Sequence, residues 1–259
     1  MAEPHSKTPF TEPVHADVPE AAPVAIWALL PCAGVGARAG LSLPKQYQPL
    51  AGKAVVLHTV AAFAAVARIT QTVVLLAQGD AHFARLQGSD TDRCASAPCG
   101  ATTRAGTVAN GLVALRERGA GEHDWVVVHD AARCLITPML IDRLIDACQH
   151  DTVGGLLAIP VADTIKVAQG ERVASTLDRS RVWLAQTPQM FRLGSLQRAL
   201  AHAGASVTDE ASAIESLGQS PRLVAGDATN IKVTVAQDFI LEQAILLTRA
   251  AQPQSGGDP

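Results

Sequence analysis

Two glycines, an arginine and a lysine follow an apolar run in "LLPCAGVGARAGLSLPKQYQPL", Leu29 to Leu50. Gly34 and Gly36 let main-chain N–H groups come close to phosphate oxygens, because no Cβ intervenes. Arg38 adds a planar fork of donors, and Lys45 a compact positive charge. Gly34, Gly36 and Ala39 also have the G-x-G-x-x-A spacing of a dinucleotide-binding turn. Such a turn needs an unbroken helix after the glycines and an acidic residue about 20 positions on to hold a ribose. Pro44 breaks the helix, and "GKAVVLHTVAAF" contains no Asp or Glu. The P-loop pattern G-x-x-x-x-G-K-[ST] is also absent. What remains suits a triphosphate whose α-phosphorus is attacked. A plain βα turn with surface cations is the alternative.

Other polar residues stand at the ends of apolar runs. "VVVHDAAR" closes with Asp130 and Arg133. Ligands of open α/β sheets sit beyond the carboxyl ends of the strands. An Asp there suits Mg²⁺ beside an anion-binding Arg, and equally suits a cap of the next turn. His129 reads as a structural histidine. "TLDRSRVWLAQTPQMF" places Arg179 near the end of a polar excursion and Thr187 before a proline. "VTDEASAIE" starts a helix with Thr208 at the N-cap and Ala211 at N3. "ATNIKVT" sets Lys232 between Ile231 and Val233 in a strand-like stretch, where a lysine needs an anionic partner.

The elements that must position these residues alternate. "AIWALLP", "TQTVVLLA", "DWVVVHD" and "VGGLLAIPV" read as buried strands. "VVLHTVAAFAAVARI", "RAGTVANGLVALRER" (with Gly119 just past its end) and "TPMLIDRLIDACQH" (with Pro138 in its first turn) read as helices. "HFARLQ" is a short helix or turn. This βαβα rhythm predicts an α/β fold with a mainly parallel sheet covered on both faces. It breaks over about residues 160–185, where short alternating segments around Gln169-Gly170-Glu171 predict a protruding β-hairpin, a lid or dimerisation arm.

Bulk properties narrow the function. The 259 residues are 48% hydrophobic with net charge −3, enough for one α/β domain and without the basic excess of a nucleic-acid binder. No apolar run approaches the roughly 20 residues of a membrane span. Residues 1–24 are Pro-rich and acidic and read, like residues 251–259, as a disordered tail, leaving one domain over residues 25–250. Five cysteines without a C-x-x-C pair read as free thiols of a cytoplasmic protein; Cys94 and Cys99 flank a loop-like stretch.

Taken in order, "PCAGVGARAGLSLPKQY", "GATTRAGTVANGL", "VVVHDAAR", "PVADTIK", "LDRSRVWLAQTPQMF", "TDEASAIE" and "NIKVT" resemble the 2-C-methyl-D-erythritol 4-phosphate cytidylyltransferase family over Pro31 to Thr234. The resemblance implies a Rossmann-like nucleotidyltransferase fold with a mixed, mostly parallel sheet, and a homodimer joined by the arm. It implies CMP transfer from CTP to 2-C-methyl-D-erythritol 4-phosphate with Mg²⁺ or another divalent cation. Pro31, Cys32, Ala33, Gly34 and Gly36 would wrap CTP. Ala101, Thr102 and Thr107 would recognise cytosine and ribose. Asp130, with Ala131, would contact nucleotide and metal. Arg38 and Lys45 would stabilise the transition state, and Arg179 and Lys232 would position the acceptor phosphate. Arg133, Thr164, Thr187 and Thr208 would complete the acceptor site, with Thr164 and Arg179 serving the partner's cleft.

Cys32 and Ala101 depart from the family's usual Ala and Gly, and Ala37 from a second basic residue. The cyclodiphosphate-synthase domain fused to some relatives is not in this sequence, which implies one activity. Alternatives are a cytidylyltransferase for another polyol phosphate such as ribitol 5-phosphate, an NAD(P)-binding oxidoreductase, and an inactive sugar-nucleotide-sensing module.

Overall fold

The computed structural model describes residues 24–34, 43–86, 88, 94–204 and 207–251. Gly36, Ala37, Arg38 and Ala39 lie outside the described residues, as do nearly all of the two expected tails.

In chain order the elements begin with β1 (Ile26–Pro31), a single 3-10 turn (Lys45–Tyr47), β2 (Pro49–Leu50), β3 (Lys53–Ala54), α1 (Val55–Ala64) and β4 (Gln71–Leu75). A 3-10 turn (Phe83–Leu86), β5 (Cys94–Ala97), α2 (Arg104–Glu117), β6 (Trp125–Val128), α3 (Pro138–Cys148) and β7 (Gly154–Pro160) follow. Then come the hairpin of β8 (Ile165–Gln169) and β9 (Arg172–Leu177), a 3-10 turn (Arg179–Arg181) and the long β10 (Trp183–Arg192). The chain continues through α4 (Leu193–Ala203), α5 (Glu210–Glu215), β11 (Arg222–Ala225) and α6 (Ala236–Ala251).

Seven strands form one sheet in the order β11-β7-β10-β6-β1-β4-β5. Only β10 runs antiparallel to its neighbours, while β1 pairs in parallel with both β4 and β6. Both faces of β1 are covered, which is why it reads as an unbroken apolar run rather than an alternating one. Ala28 and Leu30 join a core with Val56, Val60 and Phe63 of α1 and Ile141, Leu144 and Ile145 of α3. Trp27 and Leu29 face the other core, with Val108, Leu112 and Leu115 of α2, Leu196 of α4 and Ile214 of α5. Each fully buried Leu, Ile or Phe stabilises the fold by about 1.5–3 kcal/mol relative to exposure. α2 can lie this close to the sheet because a Cβ at Gly111 would stand 2.4 Å from Leu75 Cδ1.

The hairpin is present as expected, with Gly170 at positive φ in its turn. All of β9 and all of β8 but its first residue are exposed. Four local readings need correcting. Cys94 opens the edge strand β5 rather than flanking a loop. The "NIKVT" stretch is irregular, not a strand; its alternation arises because the Val233 N–H donates to the Ala132 carbonyl and Val233 is buried. The α5 N-cap is Asp209, not Thr208, and N3 is Ser212, not Ala211. Asp209 accepts from the Ser212 N–H and Ser212 reciprocates, a capping box that Thr208 and Ala211 cannot make. Pro44, read only as a helix breaker, also introduces a 3-10 turn that Lys45 opens.

Candidate active site

The carboxyl ends of β1 and β6, the start of α2 and the segment before α6 surround a cleft of about 520 Å³. Its first wall continues β1 through Pro31, Cys32, Ala33 and Gly34. The Cys32 N–H makes the last bond to β4, at Leu75 O, and the chain then leaves the sheet. Burial pushes the Cys32 thiol up to about 12, so it stays protonated. Gly100 brings the second wall against the first; a Cβ there would lie 2.5 Å from that of Ala33.

That second wall is Ala101, Thr102, Thr103, Arg104 and Thr107, the N-terminal turn of α2 and its approach. Thr103 caps the helix by accepting from the Gly106 N–H. The Thr107 hydroxyl accepts from the Ala101 N–H and donates to the Thr103 carbonyl, both at 3.0 Å. Ala101 therefore keeps the loop's turn despite its extra Cβ. The positive end of α2 and its orphan N–H groups favour an anion at this end of the cleft.

Asp130 forms the floor, one residue beyond His129 at the end of β6. Its Oδ1 accepts from Arg104 Nε at 2.7 Å and its Oδ2 meets Lys232 Nζ at 2.7 Å. Burial alone would raise its pKa, but Arg104 and Lys232 outweigh burial and hold the carboxyl well below the usual carboxylate range. Arg104 also donates to both oxygens of Glu210, which is buried on α5. Burial works against the Arg104 charge, and Glu210 and then Asp130 override it. Lys45 lines the opposite side, with Nζ donating to Val233 O at 2.8 Å.

Behind Asp130 a hydrogen-bond chain sets its orientation. The Thr187 hydroxyl accepts from the Asp130 N–H at 3.1 Å and lies 3.0 Å from His129 Nδ1. Thr187 thus gives its own proton to Nδ1, and His129 carries a proton on Nε2, donated to Arg133 O at 3.1 Å. Burial pushes His129 down to about 4, so it is neutral and structural, as expected.

The structure brings Pro31, Cys32, Ala33, Gly34, Lys45, Ala101, Thr102, Thr107, Asp130, Ala131 and Lys232 to one cleft. Five expected site residues are absent from its lining or turned to other work. Thr187 is buried and holds Asp130 from behind. Arg133 points its guanidinium at the Asn230 carbonyl, 2.8 Å away, and ties the turn after Asp130 to the segment bearing Lys232. Thr208 is exposed beside α5 and bonds Ser212. Thr164 and Arg179 belong to the arm, where Arg179 donates to the Ala162 carbonyl, outside this chain's own cleft. Arg104, Glu210 and Gln46 were not singled out from sequence. The anionic partner that Lys232 demanded is Asp130.

An open, mostly parallel sheet whose strand ends hold a glycine-rich turn, a helix N-terminus and several cations around one ionised Asp defines an α/β nucleotidyltransferase of Rossmann-like type. The family model described as "IspD: 2-C-methyl-D-erythritol 4-phosphate cytidylyltransferase" matches residues 26–248. The chain belongs to this family. It is 60% identical over 225 residues to the bifunctional enzyme IspD/IspF of Albidiferax ferrireducens, covering 87% of this chain but only 54% of that relative. It is 50% identical over 231 residues to the 2-C-methyl-D-erythritol 4-phosphate cytidylyltransferase of Burkholderia multivorans, covering 87% of this chain and 97% of the relative. A crystal structure titled 4-diphosphocytidyl-2C-methyl-D-erythritol synthase superposes with a TM-score of 0.77 at 40% identity, over 86% of this chain and 98% of that one.

Proposed function

We propose that the chain transfers CMP from CTP to 2-C-methyl-D-erythritol 4-phosphate, releasing pyrophosphate, in isoprenoid precursor synthesis. The observation that carries this reading is the cleft itself: Arg104 and Lys232 hold one floor carboxylate, and Lys45 and the α2 N-terminus line the same cleft. The attacking oxygen belongs to a phosphate with a second pKa near ~6, already largely anionic at neutral pH. No base is required, and His129, neutral and buried, supplies none. The work of the chain is to bring two polyanions into line and stabilise charge moving onto pyrophosphate. Lys45, with Arg38 from the sequence motif, takes the triphosphate side. Lys232 takes the acceptor phosphate while restrained by Asp130.

Mg²⁺ is the divalent ion that suits this donor set. Among the described residues no group of three or more His, Cys, Asp or Glu could hold a metal alone. Mg²⁺ is commonly held by one or two carboxylates with substrate phosphates completing its shell. Asp130 fits that role, since each of its oxygens keeps a lone pair beyond its cationic neighbour. The ion would supply charge neutralisation at the triphosphate.

The arm supports a homodimer. Val167, Val173 and Leu177 are exposed on it, with Trp183 and Leu184 at its base, and an isolated two-stranded hairpin is marginal in water. Thr164 and Arg179 would then reach the partner's cleft. Five free thiols support a cytoplasmic setting, and among the described residues no helix is long and apolar enough to cross a membrane.

The deciding experiment measures pyrophosphate release from CTP and Mg²⁺ with methylerythritol phosphate or ribitol 5-phosphate. Release only with methylerythritol phosphate is expected. Release only with ribitol phosphate would overturn the acceptor and leave the CTP chemistry, and no release from folded protein would overturn the enzyme reading.

A further inference from the structure

Three consecutive side chains, Lys45, Gln46 and Tyr47, grip three different segments around the cleft. Lys45 reaches the carbonyl of Val233, beside Lys232. The Tyr47 hydroxyl donates to Asp80 Oδ2 at 2.8 Å, and its ring is buried. Between them Gln46, 5% exposed, sends its side-chain amide to the glycine-rich loop. Its Nε2 lies 2.8 Å from the Cys32 carbonyl oxygen and 2.8 Å from that of Gly34. A primary amide has two N–H groups, and both are used on the loop.

These two carbonyls lie where the chain has left the sheet. Past the Cys32 N–H bond to Leu75 the ladder ends, and the buried Cys32 carbonyl, without a ladder partner, needs a donor from elsewhere. Carbonyl and N–H point in opposite directions across a trans peptide plane. Holding the Cys32 carbonyl toward Gln46 therefore aims the Ala33 N–H the other way. The turn carrying Gln46 is itself fixed on both sides, by Lys45 to the Val233 carbonyl and by Tyr47 to Asp80. The clamp thus has a rigid base.

We propose that Gln46 is a positioning residue for the nucleotide: by donating to the Cys32 and Gly34 carbonyls it turns the loop's peptide planes so that their N–H groups meet the triphosphate. This rests on the CTP reading above and adds a requirement to it. The loop is preorganised by a side chain that makes no bond to the reacting atoms, so its loss weakens nucleotide capture and spares the acceptor.

The test uses the full chain with two variants. Gln46→Met keeps the length and apolar stem and removes both donors. Gln46→Glu keeps the shape and sets an anionic acceptor against two carbonyls. CTP affinity by calorimetry and KM for CTP should weaken by about tenfold to a hundredfold in Gln46→Met, the scale of one buried and one part-buried hydrogen bond lost. KM for the acceptor should change little, while the melting temperature should fall by several degrees because a buried carbonyl loses its donor. Gln46→Glu should bind CTP more weakly still at pH 8 and recover part of the loss near pH 5, where a protonated carboxyl regains one donor. A merely space-filling role would give no such recovery. Wild-type affinity for CTP in either variant overturns the clamp alone. So does an equal loss for CTP and acceptor. Wild-type protein that binds no CTP overturns the clamp and the function reading together. If Gln46→Met fails to fold, the pH dependence of Gln46→Glu decides by itself.

Discussion

The cleft and the arm are built on opposite principles. In the cleft the floor charges are paired within the same chain: Arg104 with Asp130 and Glu210, and Lys232 with Asp130. On the arm, β8 and β9 pair only with each other and turn apolar side chains outward. The first region is preorganised by its own fold, so it can hold charge that costs nothing to reorganise at the moment of reaction. The second has no core of its own, and its apolar side chains are left exposed. One chain thus carries a cleft whose floor charges are paired from within and a hairpin whose apolar side chains are left exposed.

Substitutions can break that contrast, starting where it is strongest. Arg104→Ala leaves Glu210 buried with no cation and strips one partner from Asp130. Removing one member of a buried ion pair costs about 3–5 kcal/mol, so unfolding by denaturant should show a loss near that size; a change under ~1 kcal/mol would mean that the cluster is not preorganised. Lys45→Ala should lower kcat by at least ~10²-fold with little effect on stability, the scale of one lost charge-stabilising donor. Mixed with Arg179→Ala subunits, it should regain part of its activity in steady-state assays. No recovery after verified subunit exchange would detach the arm from the partner's cleft.

A smaller effect sharpens the picture beneath the cleft. Glu242 of α6 is fully buried, accepts from the Cys134 thiol at 2.9 Å and has no partner at Oε1. Burial chiefly, with Asp238 adding and Lys45 and Arg133 opposing, pushes it from 4.5 up to about 7. As pH rises between those values the unfolded chain loses this proton first, so the folded protein loses stability and stays weaker above pH ~7. Glu242→Gln should therefore be more stable than wild type by about 3 kcal/mol at pH 8 and indistinguishable from it at pH 4. Parallel denaturant titrations at the two pH values check this. The smallest expected change is on the arm: Val173→Asp should alter monomer stability by no more than ~0.5 kcal/mol while abolishing self-association in sedimentation. A large loss of monomer stability would make the arm part of the core after all.

The uneven legibility of the sequence has physical causes. The strand–helix alternation was readable because strands covered on both faces leave continuous apolar runs, as in "AIWALLP" and "DWVVVHD". Asp130 and Lys45 were readable because each ends or follows such a run. Arg104 and Glu210 were not, since 106 positions separate them and neither looks unusual among its neighbours. Gln46 sits within a quoted motif, but its targets are main-chain carbonyls, which have no residue type. The bonds that Thr187 and Arg133 make, to His129 and the Asp130 N–H and to the Asn230 carbonyl, join segments far apart in the chain. Both stabilise the site from outside the cleft, and only the folded chain distinguishes front from back. At "VTDEASAIE" two adjacent caps competed, and the reciprocal bond from Ser212 decided for Asp209.

The bond from Lys45 to the Val233 carbonyl joins positions 188 residues apart. A ribosome emitting this chain at roughly 5–20 residues per second releases the first half of that bond many seconds before the second. During that interval the glycine-rich turn and α2 have emerged, while the segment that closes the cleft is still to come. The cleft therefore cannot close around Lys45 until the segment bearing Val233 has been made.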